Sequence, residues 1–490
     1  MSVDPAIGIL AYGAYLPRLR LQRASIYACN SWFAPGLKGL ARGERAIANW
    51  DEDSVTMAVE AARNCLGGLD RSQVRSLTLA STTLPFADRL NAGIVKEALN
   101  LADAVAASDA TGSQRAGTSA LLQCLGAAAS GPHLCLAADL RKALPASEAE
   151  LQQGDAAAAL LVGTGAVIAR VHGIHSMTVD FVDHYRAMGE RFDYWWENRW
   201  IRDEGHIRLL GEGLRAALQK WAVAAQSIDA LVLPAAVSAV GAQLARHAGI
   251  RAEALTDPLS ATVGDSGAAH PLLLLAAALD QAQPGQKLLV AGFGQGCDLL
   301  LLETTEALLR HSRTQVTAAL ARGCADTNYL RFLAHRGLLR LDKGMRAEQD
   351  QKQPGTTLYR HRKAVLGLIG GRCTHTGVVQ FPRSDIGVDD PERRVGTQED
   401  YPLAERRARI VSYTADNLTY SPAPPSCYGM IDFEGGGRLL TEFVDIEADK
   451  LAVGREMRMV FRIKAVDTLR DFTKYFWKAA PLNPPTGAGS

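Results

Sequence analysis

The sequence predicts an α/β domain built by duplication, followed by a smaller all-β barrel. Three observations carry that prediction. A small-residue turn leading into a wholly apolar helix occurs twice, strand and helix patterns recur around both copies, and the residue pattern turns β-like in the last third of the chain.

The first copy is Ala107–Ser130, ASDATGSQRAGTSALLQCLGAAAS, which reads as a strand end, a Gly-containing turn and a helix apolar or small almost all round. A helix without a polar face belongs inside a large domain. The second copy is Asp257–Ala282, DPLSATVGDSGAAHPLLLLAAALDQA. Their surroundings match as well. Ser54–Leu66 is a helix pattern leading to the strand Ser76–Ala80, and Gly211–Ala225 is a helix pattern leading to the strand Ala230–Leu233. Each half closes on apolar strands, Asp155–Val162 in one, Lys287–Gly292 then Asp298–Glu303 in the other. Alternating elements repeated over this length imply two α/β halves around one core, here 1–172 and 173–312. The two interior helices then lie side by side, with Gln114 and Asp265 near their starts. Small residues at a helix start leave its free N–H groups open to an oxyanion, a thioester oxygen or a carboxylate.

The bulk composition bounds the function. Over 490 residues, 53 Lys and Arg balance 52 Asp and Glu, so no long-range field selects nucleic acid or an anionic membrane. No run approaches the ~20 apolar residues of a membrane span. The N-terminus runs directly into a strand pattern, Ala6–Leu16, without the features of a leader. Eight cysteines are scattered, mostly within apolar runs, which fits reduced thiols and a cytoplasmic location.

Acidic residues just before Ser54 complement the dipole of the helix that follows. Ser81–Asn91 is a loop at the C-terminal end of a strand, the usual place for binding residues in α/β folds. Thr178–His206 is rich in aromatics, and either covers a pocket or packs as an interfacial insertion. Residues 313–357 read as a connection: a mixed helix over Asn328–Met345, then the polar break DQKQPGTT. Over 358–490, short β-like runs with turns at Gly370-Gly371 and Gly435–Gly437 predict a barrel whose terminal strand is Met457–Ile463.

Specific stretches resemble a known family. IGILAYGAYLPR, DEDSVTMAVEAARN, RAGTSALL, VGDSGAAHPLLLL and GFGQGCD resemble the archaeal and bacterial 3-hydroxy-3-methylglutaryl-CoA synthases of the thiolase superfamily, over the residues up to about 310. LYRHRKAVLGLIGGRC, VQFP, SYTADNLTYSPAPPSCYGMIDFEGGGRLL and VGREMRMVFRI resemble the OB-fold domain that partners thiolases, with a remnant of its zinc ribbon. The resemblance implies a duplicated five-layer αβαβα thiolase fold plus a C-terminal OB-fold barrel. It also implies a coenzyme A thioester as substrate, no covalently bound cofactor and a homodimer.

At the family's chemical positions this sequence departs from it. Gln114 stands where the resemblance places the Cys nucleophile, Thr82 in place of a Glu, Pro234 in place of a His and Asp265 in place of an Asn. At the ribbon's ligand positions Cys373 is joined by Thr376, Gly387 and Glu392, so no metal is expected. The candidate catalytic residues are therefore Gln114, Ser113, Asp265 and His270. Gln114 either donates its amide to a thioester or enolate oxygen or merely fills the space of a lost thiol. Ser113 is a nucleophile or a helix cap. Asp265 is a cap or a desolvated general base, with His270 as its acid/base partner or as a structural residue. Gly294 and Gly296 of GFGQGCD, with Thr82, are the expected thioester-binding positions, through backbone N–H groups at the glycines. Cys297 reads as a packed residue, and Asp109, His172, His175 and His184 are secondary candidates.

The expected activity is aldol or retro-aldol chemistry on an acyl-CoA without an acyl-cysteine. The alternatives are a Cys-independent acyltransferase or decarboxylase, and a non-catalytic scaffold that positions an acyltransferase partner subunit.

Overall fold

In the computed structural model, which describes residues 6–482 apart from 235–238, 349, 351, 353, 354 and 391, the chain forms two compact units. One holds the residues up to 49, 53–93 and 101–332, and the other holds 50–52, 94–100 and 333 onward.

The first unit is organised by a nine-stranded sheet. Its strands are β1 (Ile7–Tyr15), β2 (Ser76–Ala80), β3 (Ala106–Ala110), β4 (His133–Leu140), β5 (Asp155–Thr164), β6 (Ala169–Thr178), β7 (Ala230–Val232), β8 (Lys287–Phe293) and β9 (Gly296–Thr304). Their spatial order is β7-β8-β9-β6-β1-β5-β4-β2-β3. The duplication is visible in the pairing. In one half β1 and β5, then β5 and β4, are antiparallel, and β4 and β2 are parallel. In the other half β6 and β9, then β9 and β8, are antiparallel, and β8 and β7 are parallel. A parallel bridge from Leu231 to Leu255 stands where the first half has the full strand β3. The halves join through two residue pairs of β1 and β6.

Four helices pack against this sheet: α1 (Ser54–Leu66), α2 (Ala116–Ala127), α3 (Gly211–Trp221) and α4 (His270–Gln281). The Asp53 side chain accepts from the Thr56 N–H, and the Thr56 hydroxyl caps back onto Asp53 N–H, so the acidic stretch before α1 fixes its first turn. α2 and α4 carry the apolar runs and share one core, with Ala120, Leu121 and Cys124 of α2 among the same buried residues as Leu272, Leu273 and Leu274 of α4. Small residues set their approach. A Cβ on Gly117 would sit 2.1 Å from the Ala268 carbonyl oxygen, and one on Gly154 would sit 1.9 Å from the Val263 oxygen.

The second unit contains a five-stranded antiparallel sheet of β10 (Ala408–Asp416), β11 (Ser426–Phe433), β12 (Arg438–Glu442), β13 (Glu456–Asp467) and β14 (Phe472–Pro481), in the order β12-β11-β10-β13-β14. The strand expected to end the chain is thus followed by another. Lysines 474 and 478 interrupt the apolar alternation of β14 and hide it from a sequence reading. Lys478 is buried against the carboxylates of Asp51 (3.0 Å) and Glu442 (2.8 Å), which makes a charged residue compatible with a buried position on this strand. Arg462 on β13 is likewise buried between Glu52 (3.1 Å) and Asp445 (3.0 Å). The mixed helix expected over Asn328–Met345 is only Tyr329–His335, because Gly337 at φ +64° stops it. Two short helices, Gly355–Arg360 and Arg362–Val365, precede the first strand of the second unit, Ile369–Cys373.

Two glycines of α2 separate propensity from packing. Gly126 has open space around its α-carbon, so Gly126→Ala is expected to stabilise the protein by about 0.5–1 kcal/mol. Gly117→Ala, with the same gain in helix propensity, is expected to lower the melting temperature, because α2 must move off the start of α4. Thermal melts of the two variants check this; equal shifts would contradict the packing.

Candidate functional site

The turns that lead into α2 and α4 open onto one cavity of about 750 Å³. Gln114, Pro234 and Asp265, from three separate stretches of sequence, all line it. The aromatic insertion covers it, supplying Asp183, Asp193, Tyr194, Trp195 and Trp196, followed by Ile201 and His206.

Gln114 is held by two donors. In the amide orientation that satisfies its neighbours, its oxygen accepts from His184 Nε2 at 3.0 Å and from the Arg141 guanidinium at 3.0 and 3.2 Å. Its NH2 group is then the part left to donate. The His184 ring stacks on Trp195 with centroids 4.7 Å apart, and its Nδ1 lies 3.0 Å from Asp183 Oδ1. Burial pushes the Asp183 carboxyl up, but hydrogen bonds and charge attraction from His184 outweigh it and hold the group below the usual carboxylate range. Arg141 is buried in an ion pair with Asp193, whose other oxygen takes Arg186 Nη1 at 3.0 Å.

Asp139 at the end of β4 ties the two halves together at the site. It accepts from Ser81 Oγ (2.9 Å), Thr82 N–H (2.7 Å), Thr82 Oγ1 (2.9 Å) and Thr83 Oγ1 (3.0 Å), and from the Ala268 N–H before α4 (2.8 Å). Thr82 is therefore bound to Asp139 and Arg141 and does not line the cavity. Arg115, at the start of α2, pairs with Asp298 at 3.2 Å, and Asp298 also accepts from Thr118, Ser119 and Ser176. That cluster fixes α2 against β9.

Ser113 Oγ accepts from the Arg115 N–H and donates to the Gly294 carbonyl, both at 3.2 Å, so it secures the helix start against the GFGQG turn. In that turn Gly294 spends its N–H on the Gly296 oxygen at 3.0 Å. Gly296, at φ +109°, permits a backbone approach in which a Cβ would lie 2.0 Å from the Met177 oxygen. Neither glycine lines the cavity. Asp265 Oδ1 accepts from the Gly267 N–H at 2.8 Å, while Oδ2 has no partner among the described residues.

His270 is not brought to the cavity. It is fully buried, its Nε2 donates to the Pro258 oxygen (3.0 Å), and its Nδ1 faces Ser266 Oγ (3.1 Å) and N–H (3.3 Å). Both ring nitrogens are consumed by the turn that precedes α4, which is the physical reason it differs from the expected partner of Asp265.

A different histidine faces the cavity. His206 sits on a π-helical segment, Ile201–Leu210, with its ring edge-on to Phe293 (4.9 Å, 83°). It is 6 % exposed and has no hydrogen-bond partner among the described residues. Burial pushes its pKa down to about 4, against the pull of Asp183 and Asp265. Sequence reasoning also missed Asp139, Arg141 and Asp193. The signal for the first two was a pair of charges closing the apolar run HLCLAADLR.

In the second unit, Gly387 lies beside Cys373, where an added Cβ would be 3.6 Å from the sulfur. The places resembling a zinc ribbon thus offer one thiolate, Cys373, with Thr376, Gly387 and Glu392, a donor set that does not fit a structural zinc.

The burial of His206 sets a pH dependence. Its folded pKa lies below the unfolded value of about 6.5, so the unfolded chain binds more protons between those values and stability falls as pH drops through that window. Between pH 7 and pH 5 the folded protein is expected to lose about 2 kcal/mol through this group. His206→Gln should remove that part of the loss in denaturant melts at the two pH values; an unchanged difference would contradict the burial.

Comparison with known proteins follows the same division. Residues 401–462 match the family model described as the ChsH2 C-terminal OB-fold domain. The hydroxymethylglutaryl-CoA synthase of Methanosarcina mazei is 28% identical over 347 residues, 68% of this chain and 99% of that protein. The enzyme of the same name from Methanopyrus kandleri is 28% identical over 303 residues, 60% of this chain and 86% of its own. Among solved structures, MvaS in complex with 3-hydroxy-3-methylglutaryl coenzyme A matches with TM-score 0.56 at 20% identity, covering 69% of this chain and 93% of that one. The 3-oxoacyl-(acyl carrier protein) synthase III of Pseudomonas aeruginosa matches with TM-score 0.54 at 20% identity, covering 61% and 98%. The duplicated sheet with its two interior helices is the thiolase fold shared by these synthases, and it is followed here by an OB-fold domain.

Proposed function

We propose that the cavity takes an acyl-coenzyme A thioester and makes or breaks the carbon–carbon bond beside its carbonyl by aldol or retro-aldol chemistry, without a covalent acyl-enzyme. The observation that carries this reading is the fixed Gln114 amide at the start of α2. With its oxygen engaged by His184 and Arg141, its NH2 is oriented to donate to the oxygen of a thioester enolate. Asp265, with a carboxylate oxygen unpartnered among the described residues, assists the proton transfer on the β-hydroxyl by its charge, from the other interior turn. No cysteine of the described residues lines the cavity, and burial pushes the Cys297 thiol up to about 12, so no thiolate stands ready there. The relatives named for hydroxymethylglutaryl-CoA, and the structure holding that thioester, support coenzyme A as the carrier.

In the cleavage direction the β-hydroxyl loses its proton, the Cα–Cβ electrons pass to the thioester carbonyl, and an aldehyde or ketone leaves. The enolate then takes one proton at Cα. Condensation is the reverse, and neither direction needs a redox partner.

Purified protein incubated with β-hydroxyacyl-CoA and β-ketoacyl-CoA esters should release acetyl- or propionyl-CoA and a carbonyl product from the hydroxy series, detected by mass. Asp265→Asn should lower that rate by at least about 100-fold with an unchanged melting curve. Iodoacetamide should leave the rate intact. Turnover of the keto esters alone, an unaltered Asp265→Asn rate, or inactivation prevented by acyl-CoA would each overturn the proposal.

A further inference from the structure

We infer that His206 is the group that carries the proton between Cα and the β-oxygen of the substrate, in the place expected for His270. The inference rests on the reading of the cavity as a thioester site. Four observations point to it. His206 lines the same cavity as Gln114 and Asp265. Its imidazole is more than nine-tenths buried yet has no hydrogen-bond partner among the described residues, so its polar edge is left for a ligand. Its backbone belongs to a π-helical segment, Ile201–Leu210, a winding that is rare and frequently occurs at functional sites. Phe293 packs edge-on against its ring, and Gly205 lets Phe181 close in on the neighbouring backbone, where a Cβ would meet the Phe181 ring at 2.7 Å, so the turn that carries the imidazole is packed against aromatic rings.

The charged groups that act on it are the carboxylates of Asp183 and Asp265. Neutral His206 takes the proton of the β-hydroxyl as the Cα–Cβ bond breaks and becomes an imidazolium facing two carboxylates. It then returns the same proton to Cα of the enolate held by Gln114. One base suffices, and no proton is gained or lost over the cycle. The substrate class that fits is a β-hydroxyacyl thioester whose β-oxygen and Cα both lie within reach of one imidazole. Asp265 in this scheme stabilises the imidazolium by its charge.

The half-reaction isolates the step. In D2O the full chain should exchange the α-protons of propionyl-CoA for deuterium, followed by mass spectrometry. His206→Gln and His206→Asn should slow exchange by at least about 100-fold, while binding of a CoA thioether measured by calorimetry stays within about threefold of wild type. His247→Gln, an exposed control, should exchange as wild type does. Exchange by His206→Gln at the wild-type rate would overturn the role of His206 and leave the thioester reading standing. Failure of the wild-type chain both to bind the thioether and to exchange would overturn the thioester reading, and the role of His206 with it. If the variants do not fold, the His206 ring resonances of wild type should shift when the thioether is added; no shift would overturn the inference.

Discussion

The contact on which the first unit depends is the one between the backbone of α2 at Gly117 and the carbonyl of Ala268 before α4. Only a glycine permits it, and it brings the turns that lead into two interior helices to one cavity. The sequence prepares for this closeness elsewhere too. Gly154 lies against Val263, and the Gly154 N–H and the Asp265 carbonyl share a hydrogen bond of 2.8 Å. Each half alone would present an apolar helix with no polar face. Only together do they bury it.

Around that contact runs a layer of buried charge. Asp139, Arg141, Asp193, Arg115 and Asp298 are all buried or nearly so, and each is compensated by ions or by several hydrogen bonds. Removing one partner of such a set leaves an uncompensated charge, which is far costlier than the set is stabilising. The arrangement therefore fixes orientation. Arg141 holds the amide oxygen of Gln114, Asp193 holds Arg141, and Asp139 holds both the loop after β2 and the start of α4. A carboxamide in this frame presents a donor in a set direction, which is what stabilisation of an enolate oxygen requires.

Much of this was legible in the residues. The repeated turn and apolar helix announce the duplication, and Gln114 and Asp265 stand out because each lies near the start of one copy's helix. The aromatic stretch 178–206 was readable as either a cover or an interface, and Tyr194, Trp195 and Trp196 line the cavity. His270 was attractive because it sits before Pro271 in an apolar context, but that same context buries it, and a buried imidazole spends its nitrogens on the nearest backbone. His206 was harder to see because a π-helix shifts side chains off the 3.6-residue period by which helical faces are read. The last barrel strand was masked for a related reason. Its lysine is interior only because carboxylates distant in sequence meet it there.

The central claim is that the two interior turns form a single thioester site, with the Gln114 amide and the Asp265 carboxylate on either side of the reacting carbon. A crystal structure with a non-hydrolysable β-hydroxyacyl-CoA thioether analogue bound tests it most directly. The account predicts the oxygen that mimics the thioester carbonyl within about 3 Å of the Gln114 amide nitrogen, and the β-hydroxyl on the side of Asp265. An analogue bound elsewhere on the chain, or bound in this cavity with its acyl end pointing away from Gln114, would contradict it.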